Sequence, residues 1–443
     1  MSQTHYDVLV IGSGMGGMTS AAILSKAGFT VLVVERDGEI GGQCSTMPYK
    51  GFKCIKGAVG IGTKGITGEL FKSLEIKCPI REAGALHFLI KGRVCEVSSQ
   101  NGLKSLLNAA GAGQVAITNI MNALSTALQW RFPSREVCLY DWIQQYSNDP
   151  GILEIFETLV GAALMVNLKE ISARYFFEFV KELNDINSFG YCPHGSGELP
   201  ETVGRFILEN NGDIWTRTTV TKILTDKGVV QGAVLRNRER EFVVTASVVI
   251  SDIGIVRTAQ FTGKENFDQT YLQELSRIVK PSFSICLQFA LNEPLFPGNH
   301  LLITGANSIT AVYQPTIVCP ELAPPGKHLL IATAAPSPFD PTVEGKERID
   351  LCLGDLRTLF PGFDARSEVL QTSIKQGELS VELNGYEKDL TSKMPIINLY
   401  NVETDGKHNG YGGLHSVIKS GVLVAEEINQ RMGFQTVRIN GIP

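Results

Sequence analysis

The stretch at the start of the chain limits its fold more than any other. An apolar run over residues 7–11 leads directly into a glycine-rich turn with the spacing Gly12-x-Gly14-x-x-Gly17. Residues 18–27 are compatible with a helix, and residues 30–35 predict a second strand that ends in an acid. A strand, a glycine-rich turn, a helix and a second strand in this order predict a β-α-β unit that binds a dinucleotide.

The three glycines of this turn each meet a different physical demand. The first allows a tight turn, the second lets the backbone approach a pyrophosphate, and the third lets the helix pack closely on the strand. Free N–H groups at the start of the helix then face the phosphates, and the helix dipole favours their negative charge. We therefore predict that the whole loop binds the cofactor, through Gly12, Ser13, Gly14, Met15, Gly16 and Gly17.

Glu35 is the acid at the end of the second predicted strand. It lies 18 residues after Gly17, where a carboxylate accepts hydrogen bonds from ribose hydroxyls. An acid at this position also repels a 2′-phosphate, which makes NADP a poor fit. The unit alone leaves FAD and NAD as alternatives.

Composition excludes several classes of protein. A chain of 443 residues is long enough for about two to three domains. Hydrophobic residues make up 43% and charged residues 19%, which favours a globular protein over a disordered one. Lys and Arg number 40 against 45 Asp and Glu, so the net charge of −5 gives no electrostatic attraction to nucleic acid.

Cysteine usage and hydropathy indicate the compartment. The nine cysteines form neither a C-x-x-C pair nor a His/Cys cluster, which favours reduced thiols in a cytoplasmic protein over disulfides or a metal site. The first predicted strand begins too early to leave room for a signal peptide. The most apolar stretch, residues 152–168, carries Glu154, Glu157 and Asn167 and falls short of a membrane span, so we predict a buried helix there.

Two segments downstream of Glu35 resemble a known superfamily. Residues 35–43 contain Glu-Arg followed by Gly-Gly-Gln, and residues 51–59 contain Gly-Phe followed by Lys-Gly-Ala. This resembles FAD enzymes of the amine oxidase and phytoene desaturase superfamily, which have E-R/K…G-G-R and then G-F-x-x-D-x-G. The chain departs from the pattern at Lys56, near the usual acid, and at Gln43, which replaces the charged fork of an arginine by a neutral donor. The resemblance implies cofactor contacts from Arg36, Gly42, Gln43, Gly57 and Ala58.

The resemblance continues through the middle of the chain. Residues 191–199 are similar to the family's P-x-G-G…L segment and precede a predicted helix that ends at Asn210. Predicted strands follow as a meander, at residues 212–215, 220–223 and 228–234. In the family a valine of this region pairs its backbone with the adenine edge, and Val220 is the matching residue. Residues 243–252 resemble the strand that returns to the nucleotide domain.

The C-terminal part of the chain resembles the superfamily's closing segment. Residues 395–404 predict a strand, and residues 410–413 a glycine-rich turn before a final helix. The resemblance implies that Glu403 bonds the ribityl or pyrophosphate region. It also implies that the helix start at Gly412, Gly413 and Leu414 directs its positive end at flavin N1 and O2. A nicotinamide dehydrogenase has no need of such a segment roughly 400 residues after the first β-α-β unit, so FAD is favoured over NAD.

The remaining stretches predict the other elements of the fold. Residues 76–97 predict short strands with a hairpin turn at Lys91-Gly92. Apolar residues at three- and four-residue spacing predict helices over residues 103–184. Strands at residues 284–291 and 328–335 and a helix at residues 348–360 complete the prediction.

We therefore predict an α/β fold with a Rossmann-type FAD-binding domain and a discontinuous α+β substrate domain that carries a helical insertion. The FAD-binding domain comprises residues 1–75, 191–265 and 391–443. The substrate domain comprises residues 76–102 and 266–390, and the insertion residues 103–190.

The resemblance implies an FAD-dependent oxidoreductase, and the desaturase-like branch fits best. The expected reaction moves a hydride between a C–H bond of an apolar, polyene- or lipid-like substrate and flavin N5, in desaturation, saturation or isomerisation. An amine or amino-acid oxidase and a non-catalytic flavin-binding protein remain alternatives. Peripheral membrane contact remains an alternative, because the protein would have to take up an apolar substrate from a source such as a membrane surface. The oligomeric state is undetermined, and a homodimer is one option.

Four side chains are candidates for groups near the flavin: Tyr411, Lys56, His194 and His415. Tyr411 is preferred, because the turn before the last helix faces the flavin ring in the superfamily. Each also has an alternative, purely structural role. His194 could complete the Pro193-Gly195 turn, and His415 could lie on a solvent-facing side of the last helix. Lys280 is a further candidate for a lysine near the flavin, with an exposed lysine as the alternative.

Overall fold

The computed structural model describes most of the chain. The described residues are 5–57, 59–97, 102–129, 133, 137–164, 166–183, 189–278, 281–306, 308–334, 346–380, 393–402 and 413–432. The helices are α1 (Met15–Lys26), α2 (Ile66–Ser73), α3 (Gly102–Ala109), α4 (Gln114–Gln129), α5 (Leu139–Gln144), α6 (Pro150–Leu164), α7 (Ala173–Leu183), α8 (Glu198–Glu209), α9 (Ile255–Thr262), α10 (Gln269–Ile278), α11 (Lys346–Leu359), α12 (Phe363–Arg366) and α13 (Leu414–Met432). The strands are β1 (His5–Ile11), β2 (Val31–Val34), β3 (Thr46–Tyr49), β4 (Phe52–Ile55), β5 (Ile61–Gly62), β6 (Arg81–Glu82), β7 (His87–Ile90), β8 (Arg93–Glu96), β9 (Phe189–Tyr191), β10 (Gly212–Trp215), β11 (Thr218–Asp226), β12 (Val229–Asn237), β13 (Arg240–Ser251), β14 (Pro281–Leu291), β15 (His300–Ile303), β16 (Ile309–Tyr313), β17 (His328–Ala334), β18 (Ser367–Ser380) and β19 (Leu399–Asn401).

The β-α-β unit predicted at the start of the chain is confirmed. β1 and β2 lie parallel, and α1 connects them. Most side chains of both strands are buried, as expected for the middle of a parallel sheet. α1 is buried along most of its length. Its small residues let α13 pack against it, and the Ser20 hydroxyl donates to the Gly421 carbonyl at 2.9 Å.

The first sheet has seven strands in the order β10-β2-β1-β13-β12-β11, with β19 beside β13. β10, β2, β1, β13 and β19 run parallel, whereas β12 is antiparallel to β11 and β13. The prediction that residues 212–215 join the meander is wrong, because β10 pairs with β2 at the opposite edge of the sheet. The chain turns at Arg217, whose φ is 52°, before β11 begins.

The second sheet has the strand order β18-β14-β17-β16-β15-β7-β8. Its pairs are antiparallel except for β15 and β7. β7 and β8 form the predicted hairpin, and Lys91 and Gly92 have φ of 50° and 77°, as a two-residue type I′ turn requires. The strands predicted at residues 284–291 and 328–335 and the helix at residues 348–360 are confirmed as β14, β17 and α11.

Helices α3 to α7 confirm the helical region predicted between residues 103 and 184. Their apolar faces share one core with the inner side of β7, which includes Phe88, Leu107, Ile120 and Phe156. The helix predicted within residues 152–168 is the buried helix α6. Among the described residues, no helix combines the length and the apolarity needed to cross a membrane.

The mixed α/β architecture is therefore confirmed, while the predicted domain limits stay a prediction.

The strand predicted over residues 395–404 is shorter in the structure. Within the described part of that range only β19 forms, because the chain makes a tight loop just before it. Asn398 has a φ of 65°, and the Leu399 N–H donates to the Ile396 carbonyl at 3.2 Å.

One buried amide joins the second sheet to the β3-β4 hairpin. Gln288 on β14 has no exposed surface. Its Oε1 accepts from the Ile55 N–H at 2.9 Å, and its Nε2 donates to the Ile55 carbonyl at 2.8 Å. The side chain therefore pairs with β4 as a neighbouring strand would.

We expect Gln288→Met to lower the free energy of unfolding by about 2–4 kcal/mol, because both polar groups of Ile55 lose their partner in a buried site. Urea unfolding followed by fluorescence measures the change. Gln231→Met is the control, since Gln231 is an exposed residue of β12. Equal stability of the two variants would contradict the prediction.

Candidate dinucleotide site

The parallel strands of the first sheet bring four chain segments to one edge. Ile11 is paired with Val34 on one side and Ser251 on the other, and Ser251 is paired with Asn401. Because these strands are parallel, the residues that follow them meet at the carboxyl edge of the sheet. They are the glycine-rich loop after β1, Glu35 after β2, Asp252 after β13 and Val402 after β19.

The glycine-rich loop is closely packed against two of these segments. A β-carbon on Gly14 would lie 2.5 Å from Asp252 Oδ2, and one on Gly16 would lie 2.5 Å from the Val402 carbonyl oxygen. Neither position can therefore carry a side chain unless its neighbour moves. Gly12 in addition has a φ of 94°, which favours glycine. The loop thus presents backbone to the carboxyl edge of the sheet.

The start of α1 supplies hydrogen-bond donors at the same edge. Gly14 is the N-cap residue and has no side chain to cap the first N–H groups. The first turn of the helix also contains no acid. A phosphate group satisfies such donors and is favoured by the helix dipole. The loop and the helix start therefore fit the pyrophosphate of a dinucleotide.

Glu35 is buried, with 7% of its surface exposed. Its Oε2 accepts from the Ser13 N–H at 3.0 Å and from the Ser13 hydroxyl at 2.5 Å. Its Oε1 accepts from the Asp37 N–H at 2.9 Å. These bonds hold the carboxylate beside the glycine-rich loop, in the place from which we predict it to bind ribose hydroxyls.

We expect Glu35→Ala to weaken FAD binding about 10- to 100-fold, because hydrogen bonds to a charged group contribute about 1.5–3 kcal/mol. Titration of the FAD-depleted protein with FAD, followed by flavin fluorescence, measures the affinity. Glu39→Ala removes an exposed acid of the neighbouring turn and serves as the control. The prediction fails if both variants bind FAD as tightly as the unaltered protein.

The predicted contacts downstream of Glu35 lie together. A β-carbon on Gly42 would lie 3.4 Å from the Gly14 α-carbon, so this turn packs on the glycine-rich loop. The Gly41 N–H donates to the Ser13 carbonyl at 3.0 Å. The side chain of Gln43 approaches Gly57, where a β-carbon would lie 2.7 Å from Gln43 Oε1. Gly42, Gln43 and Gly57 are therefore neighbours of the predicted pyrophosphate site.

Arg36, Lys56 and His194 lie in polar, partly exposed surroundings. Arg36 Nε and Lys56 Nζ lie 3.8 Å and 3.6 Å from the Asp37 carboxylate. His194 is exposed, and its Nδ1 lies 2.9 Å from Lys53 Nζ. The roles of these three residues stay predictions.

Val220 is buried in β11, at an irregular step of the pairing with β12. The start of β11 lies beside the end of β2, because the Thr218 N–H donates to the Glu35 carbonyl at 2.8 Å.

Gly413 has a φ of 88° and directly precedes Leu414 at the start of α13. Several predicted residues lie outside the described residues: Ala58, Lys280, Glu403, Tyr411 and Gly412.

His415 lies in the first turn of α13, and its Nε2 is enclosed by the protein. Burial lowers the pKa of His415 to about 4, with a smaller contribution from the Lys419 cation. A β-carbon on Gly62 would lie 3.0 Å from the His415 Cε1 atom. His415 as a residue is partly exposed while its Nε2 is turned into the protein, and its role near the flavin stays a prediction. The ring packs against β5 and is neutral at pH 7.

The structure adds a second buried histidine that sequence reasoning missed. His300 on β15 is 3% exposed. Its ring centroid lies 5.1 Å from that of Tyr191 and 5.6 Å from that of Tyr313. Burial lowers the pKa of His300 to about 4, and nearby His87 contributes in the same direction. Tyr313 is the cross-strand partner of His300 on the adjacent strand β16, but Tyr191 comes from a distant part of the chain, so the sequence around His300 does not reveal the group.

A glycine loop at the carboxyl edge of parallel strands, combined with a second and mainly antiparallel sheet, is the arrangement of a two-sheet protein that binds a dinucleotide. The chain belongs to the flavin-containing amine oxidoreductase family, whose sequence model matches residues 15–429. The predicted superfamily and the FAD cofactor are thereby confirmed, and the chain is an FAD-dependent oxidoreductase.

Two curated relatives match most of the chain, at very different levels of identity. An all-trans-retinol 13,14-reductase of Macaca fascicularis is 50% identical, over 89% of this chain and 75% of the relative. An inactive all-trans-retinol 13,14-reductase of Danio rerio is 22% identical over 76% of this chain, which spans 63% of that relative's length.

A solved structure is similar along nearly the whole chain. An oxidoreductase from Methanosarcina mazei superimposes with a TM-score of 0.83 at 26% sequence identity. The match covers 95% of this chain and 99% of that one. The chain therefore shares its overall fold with that protein.

Proposed function

We propose that the chain is an FAD-dependent enzyme that reduces or forms a carbon–carbon double bond in an apolar, conjugated substrate. FAD, when bound, supplies the redox chemistry by accepting a hydride from a substrate carbon or returning one to it. The protein's part is to bind FAD at the carboxyl edge of the first sheet and to hold the substrate carbon near it.

The observation that carries this proposal is the chemistry of the buried group of residues near the start of α13. His415 and His300 are both neutral at pH 7, because burial lowers the pKa of each to about 4. Tyr191 and Tyr313 are also neutral at pH 7, as a tyrosine ordinarily is, and burial raises the pKa of each further. An uncharged, aromatic site suits an apolar substrate better than it suits an ammonium ion or a carboxylate.

The relative from Macaca fascicularis supports the same substrate class. Its name states that it reduces all-trans-retinol, a conjugated polyene with one hydroxyl group, and it is 50% identical over 89% of this chain. Retinol or a molecule of similar chemistry is therefore the first substrate to test. Uptake of such a substrate from a membrane surface, and a homodimeric state, stay predictions.

The test uses the FAD-loaded protein under anaerobic conditions. The flavin is photoreduced, all-trans-retinol is added, and the flavin spectrum and the extracted retinoid are followed. We expect the flavin to reoxidise while the retinoid gains two hydrogen atoms by mass. If reduced flavin persists with polyenes of several lengths and only molecular oxygen reoxidises it, the proposal fails.

Amine oxidation is the second candidate, because the family model is that of the flavin-containing amine oxidoreductases. The same preparation, incubated in air with primary amines and amino acids, would then produce hydrogen peroxide. A third candidate is a non-catalytic flavoprotein, which the inactive relative from Danio rerio keeps open. It predicts FAD binding without turnover of either substrate class.

A further inference from the structure

Two histidine rings approach one short glycine-containing segment of the chain. A β-carbon on Gly60 would lie 3.9 Å from His300 Nε2, and one on Gly62 would lie 3.0 Å from His415 Cε1. His415 belongs to α13, which packs against α1 of the β-α-β unit, whereas His300 belongs to the second sheet. The segment from Gly60 to Gly62 therefore lies where the two halves of the molecule meet, beside the helix start that we predict to face the flavin.

His300 is enclosed mainly by aromatic rings. Besides Tyr191 and Tyr313, Phe189 lies with its ring centroid 6.4 Å from that of His300. Phe189 Cδ1 and His300 Nε2 both come within 4 Å of the position of a Gly60 β-carbon. Two of these rings meet His300 edge to face and Tyr191 is tilted against it, so the surroundings are apolar and aromatic, which suits a conjugated hydrocarbon chain.

The polar atoms of this group differ in whether they have a hydrogen-bond partner. The Tyr191 hydroxyl donates a hydrogen bond to the Asn299 carbonyl at 3.4 Å. The Tyr313 hydroxyl is hydrogen-bonded to the Thr333 side chain. His300 Nε2 is fully enclosed and has no hydrogen-bond partner among the described residues. A buried polar atom without a partner is unfavourable, and a ligand atom that hydrogen-bonds to it removes that penalty.

The charge of the site limits what that ligand atom is. His300 is neutral at pH 7, and the nearby titratable group that influences it is another histidine, His87. A neutral imidazole nitrogen donates to or accepts from a neutral oxygen, according to its tautomer. A carboxylate or an ammonium group would be buried here without a counter-charge from these residues, which is unfavourable.

We propose that His300 Nε2 hydrogen-bonds a terminal hydroxyl or carbonyl oxygen of the substrate, while Tyr191 and Tyr313 contact its conjugated chain. The substrate class is then a polyene with one neutral oxygen at its end. This inference rests on the proposed function and adds the residue that selects the end group. The position beside Gly60 places that end group close to the junction of the two sheets.

The test compares two probes on the FAD-loaded protein: all-trans-retinol and the hydrocarbon in which hydrogen replaces its hydroxyl group. Quenching of tryptophan fluorescence gives the two affinities. The unaltered protein is expected to bind the alcohol about tenfold more tightly, which is the effect of one hydrogen bond of about 1.4 kcal/mol. His300→Phe, which keeps a ring but removes the nitrogen atoms, is expected to bind both probes equally.

Three controls make the outcome decisive. His300→Gln retains a neutral donor and acceptor and is expected to restore part of the preference for the alcohol. His5→Phe changes an exposed histidine at the amino end of β1 and is expected to leave the preference unchanged. The flavin spectrum of each variant shows whether it has folded and retained FAD.

The inference is overturned if His300→Phe keeps the tenfold preference for the alcohol. The proposed function then still stands, provided that the unaltered protein reduces the polyene. If the unaltered protein retains FAD but neither binds nor converts either probe, the proposed function fails, and this inference fails with it.

Discussion

A Gly16→Ala variant is expected to lose FAD almost completely. The new methyl group would lie 2.5 Å from the Val402 carbonyl oxygen and 3.0 Å from Asp252 Oδ1. Val402 is held by its own backbone bond, in which its N–H donates to the Ser251 carbonyl at 2.9 Å. The clash therefore has to displace the glycine-rich loop, and a displaced loop cannot direct its N–H groups at a pyrophosphate.

We expect a loss of at least about 100-fold in FAD affinity, equivalent to about 2.7 kcal/mol. Fluorescence titration with FAD measures it, and circular dichroism checks that the variant is folded. Gly354→Ala is the matched control, because a β-carbon on this glycine of α11 meets no atom within 4 Å. Retention of FAD by Gly16→Ala at the level of Gly354→Ala would contradict the packing seen around the loop.

Acid is expected to destabilise the protein through His300 and His415. Both have a folded pKa of about 4, because burial disfavours the charged ring, against an ordinary value of 6.5. Between these values the unfolded chain binds more protons than the folded one, so the free energy of unfolding falls as the pH is lowered. The histidine contribution to the free energy of unfolding is complete above about pH 6.5. At pH 4 protonation of the two histidines has lowered the free energy of unfolding by about 3–6 kcal/mol.

Urea unfolding at several pH values, with FAD saturating, measures this dependence. Replacing either histidine with phenylalanine is expected to reduce its slope by about 1 kcal/mol per pH unit between pH 4 and 6.5. His5→Phe should leave the slope unchanged, since His5 is exposed. An unaltered slope in both His300→Phe and His415→Phe would show that these rings are accessible to protons in the folded protein.

Some elements could be predicted because residues close together in the sequence determine them. The hairpin at Lys91-Gly92 depends on two residues that tolerate positive φ, and the helices α4 and α6 follow from apolar residues at three- and four-residue spacing. The strand β10 could not be placed in the same way. Its sequence predicts a strand correctly, but its partner is β2, about 180 residues earlier, and not the adjacent β11.

The sequence by itself determined the β-α-β unit, the need for glycine in its turn and the FAD family. The first two depend on strand and helix periodicity and on turn chemistry within about 35 residues, whereas the FAD family follows from the resemblance of segments spread along the whole chain. Only the tertiary structure showed why Gly14 and Gly16 also lack room for a side chain, since Asp252 and Val402 approach them from other strands.

The same holds for the group around His300. Tyr191, His300 and Tyr313 meet because β9 lies against the second sheet, where β15 and β16 are paired. Contacts of this kind follow from strand order and register, which a single sequence encodes only through the complete packing of the chain. The cofactor could therefore be derived from the sequence, whereas the residues proposed to select the substrate could be found only in the folded molecule.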